Sequence, residues 1–285
     1  MKKAIVVVSF GTSYEEPLKN SIEKIENRIK DKFSDYEVHR AFTSHMIIRK
    51  IEKVQGIKIP TPEEKLQELY ENGVKEVVMQ PLHIIPGEEY EYIQKVQSDF
   101  EDKFDVIKLG RPIFYYQGIE DVPDDYTLFI KSIEHILKEN ENVVMFGHGT
   151  AHPAGAVYGC IQAVLQDEGY DNVFVGTVEG YPSFDNVLKR LKKKNIKEIL
   201  LMPLMVVAGD HVINDMASDE EDSWKSLFEA EGIKVNLYMK GLGEIDSFND
   251  LYMNRVDDLI NDRYVGIGHT KKGKRDEDTN CFVKL

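Results

Sequence analysis

The sequence predicts an α/β protein of two related domains, each built on a parallel sheet with helices on both faces. Short apolar runs alternate with amphipathic stretches of about 10–20 residues, which is the pattern of parallel β/α units. Two stretches of the chain can be overlaid on one another, which indicates an internal duplication. The 285 residues and the 42% hydrophobic content supply enough core for two domains of ordinary size.

The elements follow from apolar period and capping residues. The first predicted strand is 5–8, and Ser13-x-x-Glu16 is interpreted as the capping box of the helix that follows. Thr61 precedes Pro62 and a capping glutamate, which predicts a second helix start, and Gly73 ends that helix. Further strands are predicted at 77–79, 106–109, 143–146, 173–178, 199–202 and 235–239, and further helices at about 88–103, 125–140, 153–168, 183–194, 211–230 and 246–262.

The overlay of the two halves defines the domain organisation. Residues 62–81 match residues 183–203 in the order helix, turn, strand and proline. We therefore assign 1–122 to an N-terminal lobe and 123–262 to a C-terminal lobe. The remainder, 263–285, is basic near its start and has no hydrophobic period, so we expect a flexible tail.

Charge and cysteine content exclude several classes of protein. The formal net charge of −14 argues against nucleic acid and anionic membranes as partners, because both favour a basic surface. No segment reaches the roughly 20 apolar residues of a membrane span. Only Cys160 and Cys281 are present, so no disulfide framework is expected. The N-terminal apolar run is short and has no small-residue cleavage site after it, which predicts a cytoplasmic protein.

Three candidate metal ligands follow three strands predicted in the second half: His148, Glu179 and His211. The carboxyl ends of neighbouring parallel strands share one edge of the sheet, where ligands bind, so the three side chains can converge on one ion. Two imidazoles and one carboxylate suit Co²⁺, Fe²⁺, Ni²⁺ or Zn²⁺ better than Ca²⁺ or Mg²⁺. Three protein ligands also leave a coordination position open for chemistry.

Each of the three residues also has a purely structural interpretation. A lone histidine is usually a surface group or a satisfied core group, and His211 can be an early helical residue and nothing more. The glycines on both sides of His148 favour a ligand site, because they let the backbone approach a ligand closely. Glu179 closes a nearly continuous apolar strand, where a carboxylate is costly unless it has a function.

The first half supplies further candidates for the lining of the site. Under the overlay, Glu89 takes the place of His211, and the segment 9–12 takes the place of 147–150. The acidic pair at 88–89 can instead form the solvated first turn of a helix and have no role in the site. The candidate substrate-contacting residues are Phe10, Gly11, Thr12, His83, Glu88, Glu89 and His152.

Five separated segments carry a family resemblance in order along residues 3–262: 6–13, 79–90, 147–153, 176–182 and 203–212. Together they resemble the anaerobic sirohydrochlorin cobaltochelatase family of class II tetrapyrrole chelatases. The resemblance implies two flavodoxin-like lobes with doubly wound parallel sheets and a tetrapyrrole cleft between them. It also implies that His148, Glu179 and His211 are the metal-binding and catalytic residues. The implied reaction is insertion of Co²⁺ into sirohydrochlorin with release of two protons, on the early-cobalt route to cobalamin.

Several alternatives stay open. Sirohydrochlorin and Co²⁺ are the implied substrates, and nothing in the sequence indicates an organic cofactor. Insertion of iron or nickel into the same or a related tetrapyrrole is an alternative, because ligand type does not separate these ions. A carrier of metal or tetrapyrrole without catalysis is another, and the chain can also form a homo-oligomer.

The substrate itself raises an electrostatic difficulty. Sirohydrochlorin carries eight carboxylates, which an acidic protein repels. Either local cations such as Arg40, Arg49 and Arg111 offset the field, or the carboxylates project into water.

Overall fold

Two four-stranded parallel sheets form the framework of the protein, one in each half of the chain. The computed structural model describes residues 2–119 and 121–264. The strands are β1 (Lys3–Ser9), β2 (Glu37–Phe42), β3 (Glu76–Pro81), β4 (Val106–Leu109), β5 (Val143–Gly149), β6 (Val173–Glu179), β7 (Glu198–Pro203) and β8 (Lys234–Leu237). Their orders, β2-β1-β3-β4 and β6-β5-β7-β8, are equivalent and follow the flavodoxin-like pattern. The predicted fold class is confirmed.

Helices connect the strands on both faces of each sheet. The α-helices are α1 (Glu15–Pro17), α2 (Lys24–Lys32), α3 (His45–Gln55), α4 (Pro62–Glu71), α5 (Glu88–Asp99), α6 (Asp125–Ser132), α7 (Glu134–Glu139), α8 (Ala156–Asp167), α9 (Phe184–Lys193), α10 (Trp224–Ala230) and α11 (Asp246–Ile260). Two π-helical segments, Leu18–Glu23 and Val212–Met216, and three 3₁₀ turns, Glu101–Lys103, Pro153–Gly155 and Leu242–Glu244, complete the helical structure of this part of the chain.

Each sheet faces a shared central core on one side and an outer core on the other. On β1, Ile5 and Val7 point into the central core, whereas Val6 points to the outer one, as the two-residue period of a strand requires. In the second sheet, Val143 points into the same central core and Phe146 into a separate outer core. The central core joins the two sheets through apolar residues of α2, α3, α6, α8 and α11.

The C-terminal helix α11 links the two halves. It contacts α2 and β3 of the first half as well as α6. Arg255 on this helix is 2% exposed, donates to the carbonyls of Pro112 and Ile113, and pairs with Asp125 at 3.1 Å. The lobe boundary at residue 122 stays a prediction, and α11 packs against the first sheet although it belongs to the second stretch.

One capping prediction is confirmed and one is wrong. The Thr61 hydroxyl accepts from the amide of Glu64, and the Glu64 carboxylate accepts from the amide of Thr61, so this capping box is complete. The box at Ser13 does not form, because α1 begins after Tyr14 without a side-chain cap. Thr12 instead accepts from the Tyr14 amide, so the chain is still turning where Ser13 stands.

Two long predicted helices are interrupted. The stretch 211–230 forms the π-helical segment Val212–Met216 and then α10, separated by a polar turn in which Ser223 caps α10. The stretch 125–140 divides at Ile133 into α6 and α7. The predicted tail lies outside the described residues from 265 onward. Within the described segments, no helix is both long and apolar enough to cross a membrane.

Candidate metal centre

His148 lies at the carboxyl end of β5, the central position of the second sheet next to β6 and β7. Gly149 has a φ of +86°, and a Cβ there would come within 1.9 Å of the carbonyl oxygen of Glu179. Only glycine therefore allows β5 and β6 to approach at this edge. The His148 Nδ1 lies 3.0 Å from the carbonyl oxygen of Gly149. Because a carbonyl only accepts, Nδ1 carries a proton, and in the neutral ring Nε2 has the lone pair.

His211 lies beyond the end of β7, directly before the π-helical segment Val212–Met216. Its Nδ1 is 2.6 Å from Oδ2 of Asp215, one helical turn later. The carboxylate oxygen accepts this hydrogen bond, so Nδ1 carries the proton here too and Nε2 is again unprotonated in the neutral ring. Asp215 was not among the residues predicted from the sequence, although its i,i+4 spacing from His211 is visible there.

The structure brings the two histidines together. Their ring centroids are 4.5 Å apart and the rings are nearly perpendicular, at 89°. The histidines are separated by more than sixty residues in sequence, so the contact comes from the neighbouring positions of β5 and β7. Each ring is oriented by a hydrogen-bond acceptor on Nδ1, the arrangement that metal-binding histidines use to fix tautomer and orientation.

Glu179 lies at the same edge but does not complete a ligand set with the histidines. It is the last residue of β6, pairs with Gly149 in the sheet register, and is exposed. No group of three histidine, cysteine, aspartate or glutamate side chains across residues 2–119 and 121–264 is arranged to hold a metal ion. The three-ligand site therefore stays a prediction, with two of its members in contact.

The first-half segment Phe10–Thr12 faces this edge from the other lobe. The Phe10 side chain is 46% exposed at the end of β1, and Thr12 is buried. A Cβ on Gly209, two residues before His211, would lie 3.5 Å from the Thr12 hydroxyl oxygen. Gly11 has a φ of +95° and is packed against the Phe42 ring. These contacts place the predicted cleft residues of the first half beside the loop that carries His211.

Two polar contacts cross between the lobes near the histidines. The Tyr14 hydroxyl donates to Oδ1 of Asp210 at 2.8 Å. On the other side, the His152 Nδ1 accepts from the amide of Ala154, so the neutral ring has its proton on Nε2 and donates to Glu91 at 3.1 Å. His152 and α5, which begins with the candidates Glu88 and Glu89, are thereby brought to the same gap between the lobes.

His83 follows β3 and is enclosed. Both of its ring nitrogens are buried and have no hydrogen-bond partner among the described residues. Burial lowers the pKa of His83 to about 4, because the charged form loses its hydration. The ring is therefore neutral at neutral pH, and whether it contacts a substrate stays a prediction.

These features define a two-lobed α/β protein with a preformed histidine pair at the inner edge of its second sheet. The family model described as cobalt chelatase (CbiK) matches residues 3–261 of this chain. The chain therefore belongs to the cobalt chelatase family.

Two relatives extend over nearly the whole chain. A sirohydrochlorin cobaltochelatase of Salmonella typhimurium is 38% identical over 264 residues, covering 92% of this chain and 97% of that protein. The sirohydrochlorin cobaltochelatase CbiKC of Nitratidesulfovibrio vulgaris is 29% identical over 257 residues, covering 90% and 89%.

Solved structures share the fold at lower identity. The sirohydrochlorin chelatase SirB of Bacillus subtilis subspecies spizizenii, in complex with cobalt, has a TM-score of 0.59 at 17% identity, covering 92% of this chain and 97% of that one. CbiX, described as the terminal enzyme of siroheme biosynthesis in denitrifying bacteria, has a TM-score of 0.53 at 14% identity, covering 89% and 98%. The two-lobed architecture is thus common to chelatases of different sequence.

Proposed function

We propose that this protein is a sirohydrochlorin cobaltochelatase, which inserts Co²⁺ into sirohydrochlorin and releases two protons. The observation that carries the proposal is the His148–His211 pair, whose rings touch at the gap between the lobes with Nδ1 of each already engaged. Membership of the cobalt chelatase family and the names of both relatives support the same activity.

The histidine pair would receive the metal. With Nδ1 protonated, each ring offers Nε2 as a borderline nitrogen donor, which suits Co²⁺. Glu179 would supply the third ligand: its side chain is exposed and makes no hydrogen bond or ion pair within the described structure, so it can rotate toward the ion. Three ligands leave coordination positions through which the metal can pass to the pyrrole nitrogens.

Two pyrrole protons must leave as the metal enters. A carboxylate or a neutral imidazole can accept them, and we assign this role to Glu179 and His211. Glu89, partly exposed in the first turn of α5, is a candidate helper from the facing lobe. His83 is the other candidate helper and is already neutral, although its nitrogens are enclosed. We further propose that the reaction needs no organic cofactor and takes place in the cytoplasm.

An anaerobic assay tests this function. The protein is mixed with excess sirohydrochlorin and, separately, Co²⁺, Fe²⁺ or Ni²⁺, and the absorbance change of the tetrapyrrole is followed beyond one equivalent. Turnover that is fastest with cobalt is expected. A change that stops at one equivalent would show a carrier, and faster turnover with iron or nickel would show a different chelatase.

Substitution of the histidines tests the site. His148→Ala and His211→Ala should each lower the rate by at least ~10²-fold if the rings deliver metal or accept protons. His135→Ala is the matched control, because His135 is exposed on α7. Near-normal turnover of both site variants would reject the site while leaving the activity itself established.

A further inference from the structure

Internal ion pairs occupy two of the three arginines that the sequence offers to offset the charge of a polycarboxylate ligand. Arg40 is bound by Glu23 and Glu26, and Arg111 is bound by Asp125 and Asp258. Neither guanidinium is available to a ligand without breaking an internal ion pair.

Arg49 differs from the other arginines. Of the seven arginines that the structure describes, the other six each form a side-chain hydrogen bond or ion pair within the chain. Arg49 forms neither within the described residues, and it is exposed on α3. A guanidinium presents a planar pair of donors that matches a carboxylate, so an unengaged arginine is suited to bind one.

The outward face of α3 carries further exposed cations beside Arg49. Met46, Arg49, Lys50 and Lys53 lie within about 100° of one another around the helix, opposite the buried Ile48 and Ile51. All four are exposed, and Met46 is 65% exposed. No carboxylate in the described part of the chain forms an ion pair with the three cations. We call these four residues the basic face of α3. Glu52, the acidic residue of the helix, lies outside this sector.

The basic face of α3 lies beside the candidate metal centre. The amide of Ser44, which caps α3, donates to the carbonyl of Phe10 at the end of β1. The Lys50 ammonium lies 5.3 Å from the centroid of the Tyr14 ring, and the Tyr14 hydroxyl donates to Asp210, the residue before His211. One chain of contacts therefore leads from the basic face to the histidine loop.

We propose that the basic face of α3 binds peripheral carboxylates of the tetrapyrrole substrate while the macrocycle lies over the neighbouring apolar surface. The ligand has a flat apolar body with carboxylates at its rim, and the protein offers exposed Phe10 and Met46 next to Arg49, Lys50 and Lys53. This local cationic surface would attract a polyanion although the net charge of the protein is −14. The identity of the ligand rests on the proposed function.

Binding of metal-free sirohydrochlorin tests the proposal without requiring turnover. The Kd is measured anaerobically from the tetrapyrrole fluorescence at two ionic strengths, for the wild type and for the double variant Arg49→Gln/Lys53→Gln. We expect about 10-fold weaker binding and a smaller dependence of Kd on salt. The Kd of Arg49→Lys should lie between those of the wild type and the double variant, since this substitution keeps the charge and loses the planar donors.

The matched control is Lys189→Gln/Lys193→Gln. These lysines have the same four-residue spacing and are exposed on α9, whose buried side packs in the outer core of the second lobe. Equal Kd values for the two double variants would overturn the proposal. If the wild type binds the tetrapyrrole and does not turn over, the chelatase activity fails, and the comparison of Kd values still decides the binding face.

Discussion

At the residue scale, the candidate centre depends on the groups that hold the two imidazoles. The Gly149 carbonyl and the Asp215 carboxylate each accept a hydrogen bond from Nδ1 of one ring, which leaves both Nε2 atoms as potential ligands. The two acceptors differ, because the carbonyl is part of the strand and the carboxylate can be changed by substitution. Asp215 is thus a positioning residue for His211.

Asp215→Asn is expected to weaken the affinity for cobalt by about 10- to 100-fold. The amide still holds the His211 ring, but it lacks the charge that raises the basicity of the imidazole. The measurement is the cobalt concentration dependence of the rate together with a direct cobalt titration. Asp219→Asn is the control, since Asp219 pairs with Lys225 on the surface. An unchanged cobalt affinity in Asp215→Asn would show that Asp215 has no such role.

His83 predicts a pH dependence of stability. Its folded pKa of about 4 lies below the ordinary value of 6.5, so the unfolded chain binds the proton more readily. The shifted pKa of His83 contributes roughly 3 kcal/mol to the free energy of unfolding above about pH 6.5, and this contribution declines as the pH falls toward 4.

Urea unfolding at pH 7 and at pH 4.5 measures this effect. The wild type should lose more stability between the two pH values than His83→Leu, which has nothing to protonate. His135→Leu, at an exposed position, should behave like the wild type. A pH dependence that is identical in all three proteins would contradict the assignment to His83.

At the element scale, caps decide where helices begin. Thr61 and Glu64 satisfy each other's backbone amides at the start of α4, whereas α1 starts without a side-chain cap. Both starts have the same sequence signature, a hydroxyl residue followed three residues later by glutamate. The difference lies in the preceding chain, because at Ser13 the turn at Gly11 and Thr12 has not yet ended.

Thr61→Ala should therefore lower the free energy of unfolding by about 1 kcal/mol, the ordinary cost of losing an N-cap. Ser13→Ala should change it by less than ~0.5 kcal/mol, as is usual for a position without such a bond. Urea unfolding of the two variants measures the difference. Equal losses would mean that Ser13 has a capping role that the structure does not show.

At the scale of the whole molecule, α11 and the central core hold the two halves together. Arg255 and Arg111 both pair with the fully buried Asp125, and the carbonyls of Pro112 and Ile113 accept further hydrogen bonds from Arg255. Burial lowers the pKa of Arg255 to about 10, which still leaves it charged at neutral pH. A buried charge of this kind is stable only while its partners are present.

Arg255→Met should destabilise the protein by about 3 kcal/mol, because it leaves Asp125 and two carbonyls with fewer donors. Arg263→Met is the control: Arg263 pairs with Asp257 and Asp258 while 52% of its side chain is exposed, so its loss should cost less than ~1 kcal/mol. Denaturant midpoints of the two variants test this. A loss in Arg255→Met as small as in the control would show that the buried network is not stabilising.

The sequence by itself determined the fold class, most strands and helices, and the two histidines of the candidate centre. It could do so because the period of apolar residues, the caps and the residues at strand ends are local properties. Neither the strand β2 nor the helix α3 was among the predicted elements. The strand β2 has little apolar alternation, so the period of apolar residues does not mark it.

Only the tertiary structure decided which of these residues meet. The contact between His148 and His211, the ion pairs of Arg40 and Arg111, and the packing of α11 on the first sheet all join residues far apart in the chain. That Arg49 has no ion-pair partner among residues 2–119 and 121–264 likewise follows from the tertiary structure. Such contacts depend on strand order and on how side chains fill one shared core, and a local pattern carries neither.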